Sequence, residues 1–407
     1  MAFLVEMRTK ILTHTGGLKM ASLQISNVRV ALRNEILEHA AVVVEGSKIV
    51  EVMQEDKAAG SISHLGQIDG RGNLLIPGMI DVHIHGARGY DMMDGTIRSI
   101  EEVSIACAET GCTSFLATSV SSTIEQLIEM IHNVARVSGR EAGARIAGIH
   151  IEGPYLNPKR KGMQNERYLR HPDLDELQTI LSHAGDRLKM ITLAPELPGA
   201  MESIDYLTKL GIIVAIAHSD ATYEEAKLAF EHGASHITHC FNGMRPIHHR
   251  DPGLIAAAFE EEKVSLQAIV DGVHLHPAIV RLLHRIKGPD GVVLITDALQ
   301  AMGLGDGRYQ FGGHDTQVVN GVARLQDGTL ASSTVTMNEA LRNTVQLGIP
   351  LPEAVAMASR TPAQILGLPG KGRIERGADA DLVLLDEQFN VVWTMVEGQV
   401  VYKAKEE

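Results

Sequence analysis

At 407 residues the chain can hold one large domain or two to three average ones, and 44% hydrophobic with only 4% aromatic residues implies an aliphatic core. A net charge of −13 without a basic block argues against nucleic acid or an anionic membrane as partner, so an anionic substrate must meet a local cluster of positive groups. Three unpatterned cysteines (Cys107, Cys112, Cys240), and no apolar stretch near the roughly 20 residues of a membrane span, point to a reducing cytoplasm.

Residues 1–19 carry no secretory pattern and precede a clean strand signal, so they read as a dispensable extension. Leu23-Gln24-Ile25-Ser26-Asn27-Val28-Arg29-Val30 alternates apolar and polar, Ala40-Ala41-Val42-Val43-Val44 follows, and Glu45-Gly46-Ser47-Lys48 turns into Ile49-Val50-Glu51-Val52. The last 35 residues are β-rich again, at 380–386, 391–396 and 400–402. Residues 20–77 and 372–407 are therefore expected to form one small β-sandwich domain built from both termini.

Between them, residues 78–371 alternate short apolar runs with stretches of helical spacing. Eight strand-like runs occur, at 79–85, 114–120, 147–152, 190–195, 212–218, 236–240, 266–273 and 292–297. Helices are predicted at 124–137, 223–232 and 277–286, among others. Repeated β-then-α predicts a parallel sheet, and eight units predict an α/β fold of the (β/α)8 TIM-barrel type, with a doubly wound open sheet as the alternative.

Active sites of such barrels lie at the C-terminal ends of the strands. Those ends carry His83 and His85, Glu152, His218, His239 and Asp297. His83 and His85 are two apart on one strand and project to one face. A glutamate closing an apolar strand is costly to bury without a partner. Together the six form a nitrogen and oxygen donor set suited to zinc first, with iron or manganese as alternatives, one or two ions per chain. Glu152, His218 and His239 make one three-ligand group; His83, His85 and Asp297, with Glu152 as bridge, make a second. Asp297 is the expected general base, taking a proton from water and returning it to a leaving nitrogen. That chemistry is metal-assisted hydrolysis of an amide.

The motifs Pro77-Gly78-Met79-Ile80-Asp81-Val82-His83-Ile84-His85-Gly86, His150-Ile151-Glu152-Gly153-Pro154, Thr238-His239-Cys240-Phe241-Asn242-Gly243-Met244, Asp271-Gly272-Val273-His274 and Thr296-Asp297-Ala298 resemble the amidohydrolase superfamily. Within it they resemble the N-acetylglucosamine-6-phosphate deacetylase family. The likeness runs from about Met20 to Tyr402. It implies a cytoplasmic homodimer that hydrolyses the acetamide of N-acetylglucosamine 6-phosphate to glucosamine 6-phosphate and acetate, needing neither nucleic acid nor membrane. It further implies that Asn242, Gly243, Arg250 and His274 hold the sugar phosphate. Many family members carry a histidine twelve residues after the metal-binding glutamate; here that position is Gln164, expected to contact substrate as an uncharged hydrogen-bonding group. The galactosamine epimer, another small amide, and a non-catalytic sugar-phosphate sensor remain the rival readings.

Overall fold

The computed structural model describes residues 22–55 and 66–405; the expected extension at 1–19 lies outside them. Eight apolar runs form one parallel sheet in chain order: Met79–Ile84, Cys112–Thr118, Arg145–Glu152, Leu188–Leu193, Ile213–Ile216, His236–Ile237, Ser265–Ile269 and Val292–Ile295. Each pairs in parallel with its neighbour in sequence. The first and last strands also meet. Ile84 bridges Ala298, His85 N–H donates to the Ala298 carbonyl at 2.9 Å, and Asp297 N–H donates to the His83 carbonyl at 2.9 Å. An open sheet has no such contact between its outer strands, so this is the expected (β/α)8 barrel.

The surrounding helices follow local rules. Ile124–Val137 buries Leu127, Met130, Ile131, Val134 and Val137, a stripe at helical spacing that packs on the sheet. It starts at Thr123, whose hydroxyl accepts from Gln126 N–H while the Gln126 side chain reaches back to Thr123 N–H. Thr222 and Glu225 start Tyr223–Glu231 in the same way. Pro277 opens Pro277–Lys287 as the first helical residue, where its missing N–H costs nothing. All three helices match the sequence expectation to within one residue.

Strands from both chain ends share a second sheet. Ser22–Ala31 pairs with Ile36–Glu45 on one side; on the other it meets Gly66–Asp69 along its first half and Leu74–Pro77 along its second. Leu74–Pro77 then pairs with Leu382–Leu385, which continues the sheet to Val391–Val396 and Gln399–Lys403. These strands enclose a core of their own, including Ile25, Val42, Leu75, Leu384, Trp393 and Met395. Because Leu74–Pro77 runs straight on into the first barrel strand, the terminal sheet anchors the strand that carries His83.

One element departs from the sequence expectation. Gly307–Phe311, His314–Val319 and Val322–Leu325 form a three-stranded antiparallel sheet inserted after the last barrel strand. Its buried face, with Phe311, Val318 and Ala323, packs on Val120, Leu299 and Ala331 beside the strand ends. Among the described residues, no helix is long and apolar enough to cross a membrane.

Candidate metal centre and active site

The barrel strands stop just short of most of the polar residues they deliver. Ile84, Ile216, Ile237 and Ile295 are the last strand residues, and His85, His218, His239 and Asp297 follow one or two positions later. His218, His239 and Asp297 have φ of 47°, 27° and 48°, the left-handed region that side chains other than glycine seldom enter. Each such turn costs about 1–3 kcal/mol and persists only where its surroundings hold it. Here the turn swings the side chain from the barrel wall to its axis.

The outcome is two abutting donor groups. In the first, His83 Nε2 lies 3.0 Å from His85 Nε2, and the Asp297 Oδ1 oxygen is 3.1 Å from His85 and 3.4 Å from His83. In the second, Glu152 Oε1 lies 2.9 Å from His239 Nε2 and 3.4 Å from His218 Nε2, and the two imidazole nitrogens are 3.1 Å apart. Glu152 also faces the first group, Oε1 at 3.7 Å from His83 and Oε2 at 3.6 Å from His85. All six residues are buried. Every ligand of the two groups has its ligating atom within 4.8 Å of the others in its group.

The outer nitrogen of each imidazole fixes what the inner one offers. His83 Nδ1 lies 3.0 Å from Gln267 Oε1, His85 Nδ1 3.3 Å from the Thr118 carbonyl, His218 Nδ1 2.9 Å from the Arg160 carbonyl, and His239 Nδ1 3.2 Å from the Asn242 carbonyl. An oxygen of this kind only accepts, so in every case Nδ1–H donates and a neutral ring presents a bare Nε2 lone pair inward. Four imidazoles and two carboxylates thus converge in a buried space. Such a set repels itself unless cations sit among it, whether protons or metal ions. Burial opposes charge on His85, yet Asp297 and Glu152 push its pKa up to about 9. Burial keeps His83 down at about 4. Burial alone would raise the Asp297 carboxyl, but the facing His83 and His85 outweigh it and hold it down at about 2. The donor set therefore fits one or two divalent ions, and outward acceptors of this kind are what orient imidazole ligands.

Several supporting residues escaped the sequence reading. Gln267 accepts from both His83 Nδ1 and His239 N–H. Asp81, its pKa raised to about 7 by burial, accepts from Thr296 Oγ1 at 2.5 Å and His83 N–H at 3.1 Å, tying the first strand to the last. Each is a polar residue inside an apolar run, and that was the available signal. Ser332 donates to the Asp297 carbonyl and Phe311 lies against His85 with ring centroids 5.3 Å apart; both come from the unforeseen insertion and the segment after it.

The proposed substrate contacts are dispersed. A cavity of about 110 Å³ opens over His85, Glu152, His218, His239 and Asp297, with His83 behind it, and is lined also by Asn242, Gly243, His274 and Gln164. Gly243 has φ 62°, and a Cβ there would sit 2.7 Å from His218 Nδ1, so only glycine fits. His274 Nδ1 lies 2.7 Å from Asp271 Oδ2. Gln164 is engaged with Glu152 Oε2 and with Ser121 N–H. Arg250 does not line the cavity: it is exposed on the following loop, its Nη1 at 2.6 Å from His249 Nε2.

The chain is similar to known proteins over most of its length. The Amidohydrolase family matches residues 74–401. An N-acetylglucosamine-6-phosphate deacetylase from Lysinibacillus sphaericus is 37% identical over 385 residues, covering 93% of this chain and 97% of that protein. An N-acetylgalactosamine-6-phosphate deacetylase from Escherichia coli O157:H7 is 36% identical over 330 residues, 80% of this chain and 87% of the relative. Among solved structures, a mutant of the Mycobacterium smegmatis N-acetyl-D-glucosamine-6-phosphate deacetylase in complex with N-acetyl-D-glucosamine-6-phosphate superposes with a TM-score of 0.86 at 33% identity. That match covers 94% of this chain and 99% of that one.

Proposed function

The chain belongs to the amidohydrolase family, and from that premise we propose that it hydrolyses the acetamide of N-acetylglucosamine 6-phosphate to glucosamine 6-phosphate and acetate. The observation that carries the reading is the convergence of four imidazole Nε2 atoms on two carboxylates at the mouth of the barrel. Glu152, His218 and His239 would hold one divalent ion, and His83, His85 and Asp297 a second, zinc first and iron or manganese after it. When bound, such an ion polarises the amide carbonyl and makes a water acidic enough to attack near neutral pH.

The chain's own groups do the rest. Asp297 is ionised near neutrality, faces the cavity, and is fixed through its backbone by Ser332. It accepts the proton of the attacking water and delivers it to the sugar nitrogen as the C–N bond breaks. Phe311 and the buried strand ends keep bulk water away from that transfer. Asn242, the Gly243 backbone and His274 line the cavity and would hold the sugar phosphate. Among the described residues no arginine or lysine lines it, so the phosphate needs a cation from beyond this lining, and exposed Arg250 is the residue we assign, within a homodimer. All three cysteines are buried and unpaired, which suits a reducing cytoplasm.

The Escherichia coli relative favours a second reading, in which the galactosamine epimer is the substrate. Parallel assays of acetate release from the two epimeric 6-phosphates decide between them. A kcat/KM higher for the glucosamine derivative supports the proposal, and the reverse order replaces it.

A further inference from the structure

Gln164 has both ends of its carboxamide occupied. The Ser121 backbone N–H can only donate, and it lies 2.8 Å from Gln164 Oε1, which sets the amide the right way round. Gln164 Nε2 must then present its hydrogens to Glu152, and Oε2 of that carboxylate is 2.6 Å away. Gln164 and Glu152 are each only 2% exposed, so water does not compete for this contact. The other Glu152 oxygen faces His239 at 2.9 Å and His218 at 3.4 Å, while Oε2 is 3.6 Å from His85. Tethering Oε2 therefore keeps Oε1 turned toward His239 and His218.

We infer that Gln164 is a positioning residue: it orients Glu152 for cation binding from outside the ligand set and does not grip the sugar. The inference rests on the metal-dependent reading above. A carboxamide suits the task because its NH2 donates at any pH and brings no lone pair to compete for the ion. The loop that carries Gln164 is held over the site independently, through the Arg160 carbonyl that accepts from His218 Nδ1. A group that steadies a metal ligand in this way is worth about 10–100-fold in metal affinity.

The test measures zinc affinity of the metal-free protein by competition with a chromophoric chelator, and KM and kcat at saturating zinc. Gln164→Met keeps length and volume but removes the donor; Gln164→His keeps an N–H within reach. The expected result is zinc affinity lowered at least tenfold in Gln164→Met and restored to within threefold of the parent in Gln164→His, with KM in Gln164→Met unchanged within twofold. Unaltered zinc affinity together with a tenfold rise in KM overturns the inference and makes Gln164 a sugar contact. Should Gln164→Met fail to fold, Gln164→Ala is measured in the same way with the same criteria. A parent protein that binds no zinc overturns the metal reading itself, whereas tight parent binding that Gln164→Met retains overturns only the positioning role.

Discussion

The two donor groups share one cavity but are built differently. His83 and His85 come from a single strand end, where period-two geometry alone puts both rings on one face. Glu152, His218 and His239 come from three separate strands, and both histidines need a left-handed backbone to turn inward. The histidine pair of the first group is thus locally encoded, while the second group exists only once the barrel has closed. Asp297 belongs to the first by contact and to the second in manner, since it too sits in the left-handed region. That mixed position suits a residue that must serve both sides of the site.

The largest effect is expected from Asp297→Asn, which keeps the shape and removes the base. Turnover should fall by about 10²–10⁴-fold, the usual worth of acid–base help, with substrate still bound. Steady-state kinetics with an equilibrium binding measurement checks this, and a variant of near-normal kcat strips Asp297 of its role. Next comes the paired change His83→Ala with His85→Ala. Metal content should drop toward one ion per chain while part of the activity survives, because the three-strand group remains whole; elemental analysis that finds no metal left would make the locally encoded pair the primary site. Arg250→Ala leaves both groups untouched. It should weaken the phosphorylated sugar by about tenfold or more, the scale of a lost charge-assisted contact, and a non-phosphorylated acetylated sugar hardly at all. Equal losses for both sugars would make Arg250 structural. Removing residues 1–19 should have the smallest effect, leaving kcat/KM within about twofold of the parent, well under 1.4 kcal/mol.

Much of this arrangement was legible in the sequence, and the reason is energetic. Apolar runs of five to eight residues marked all eight barrel strands, and polar groups closing those runs are too costly to bury without a purpose. His83, His85, Glu152, His218, His239 and Asp297 stand out on that ground. Gln267 and Asp81 do not, because they lie within the runs and not at strand ends. The insertion was also written in the chain: Tyr309 and Phe311, then Thr316 and Val318, alternate around Gly312-Gly313 and Asn320-Gly321, whose positive φ values suit tight hairpin turns. A search for β-then-α units passes over such a pattern. The placement of Arg250 outside the cavity and the tether between Gln164 and Glu152 were not legible at all. Both depend on where long loops return, which no spacing rule specifies.

The central claim is that this donor set binds divalent metal and uses it to cleave an acetamide. Acetate release from N-acetylglucosamine 6-phosphate, followed in protein whose metals are counted before chelation, after chelation and after zinc is restored, tests it most directly. The account predicts activity that disappears with the metal and returns with it. Undiminished acetate release from metal-free protein, or none from fully loaded protein, would contradict it.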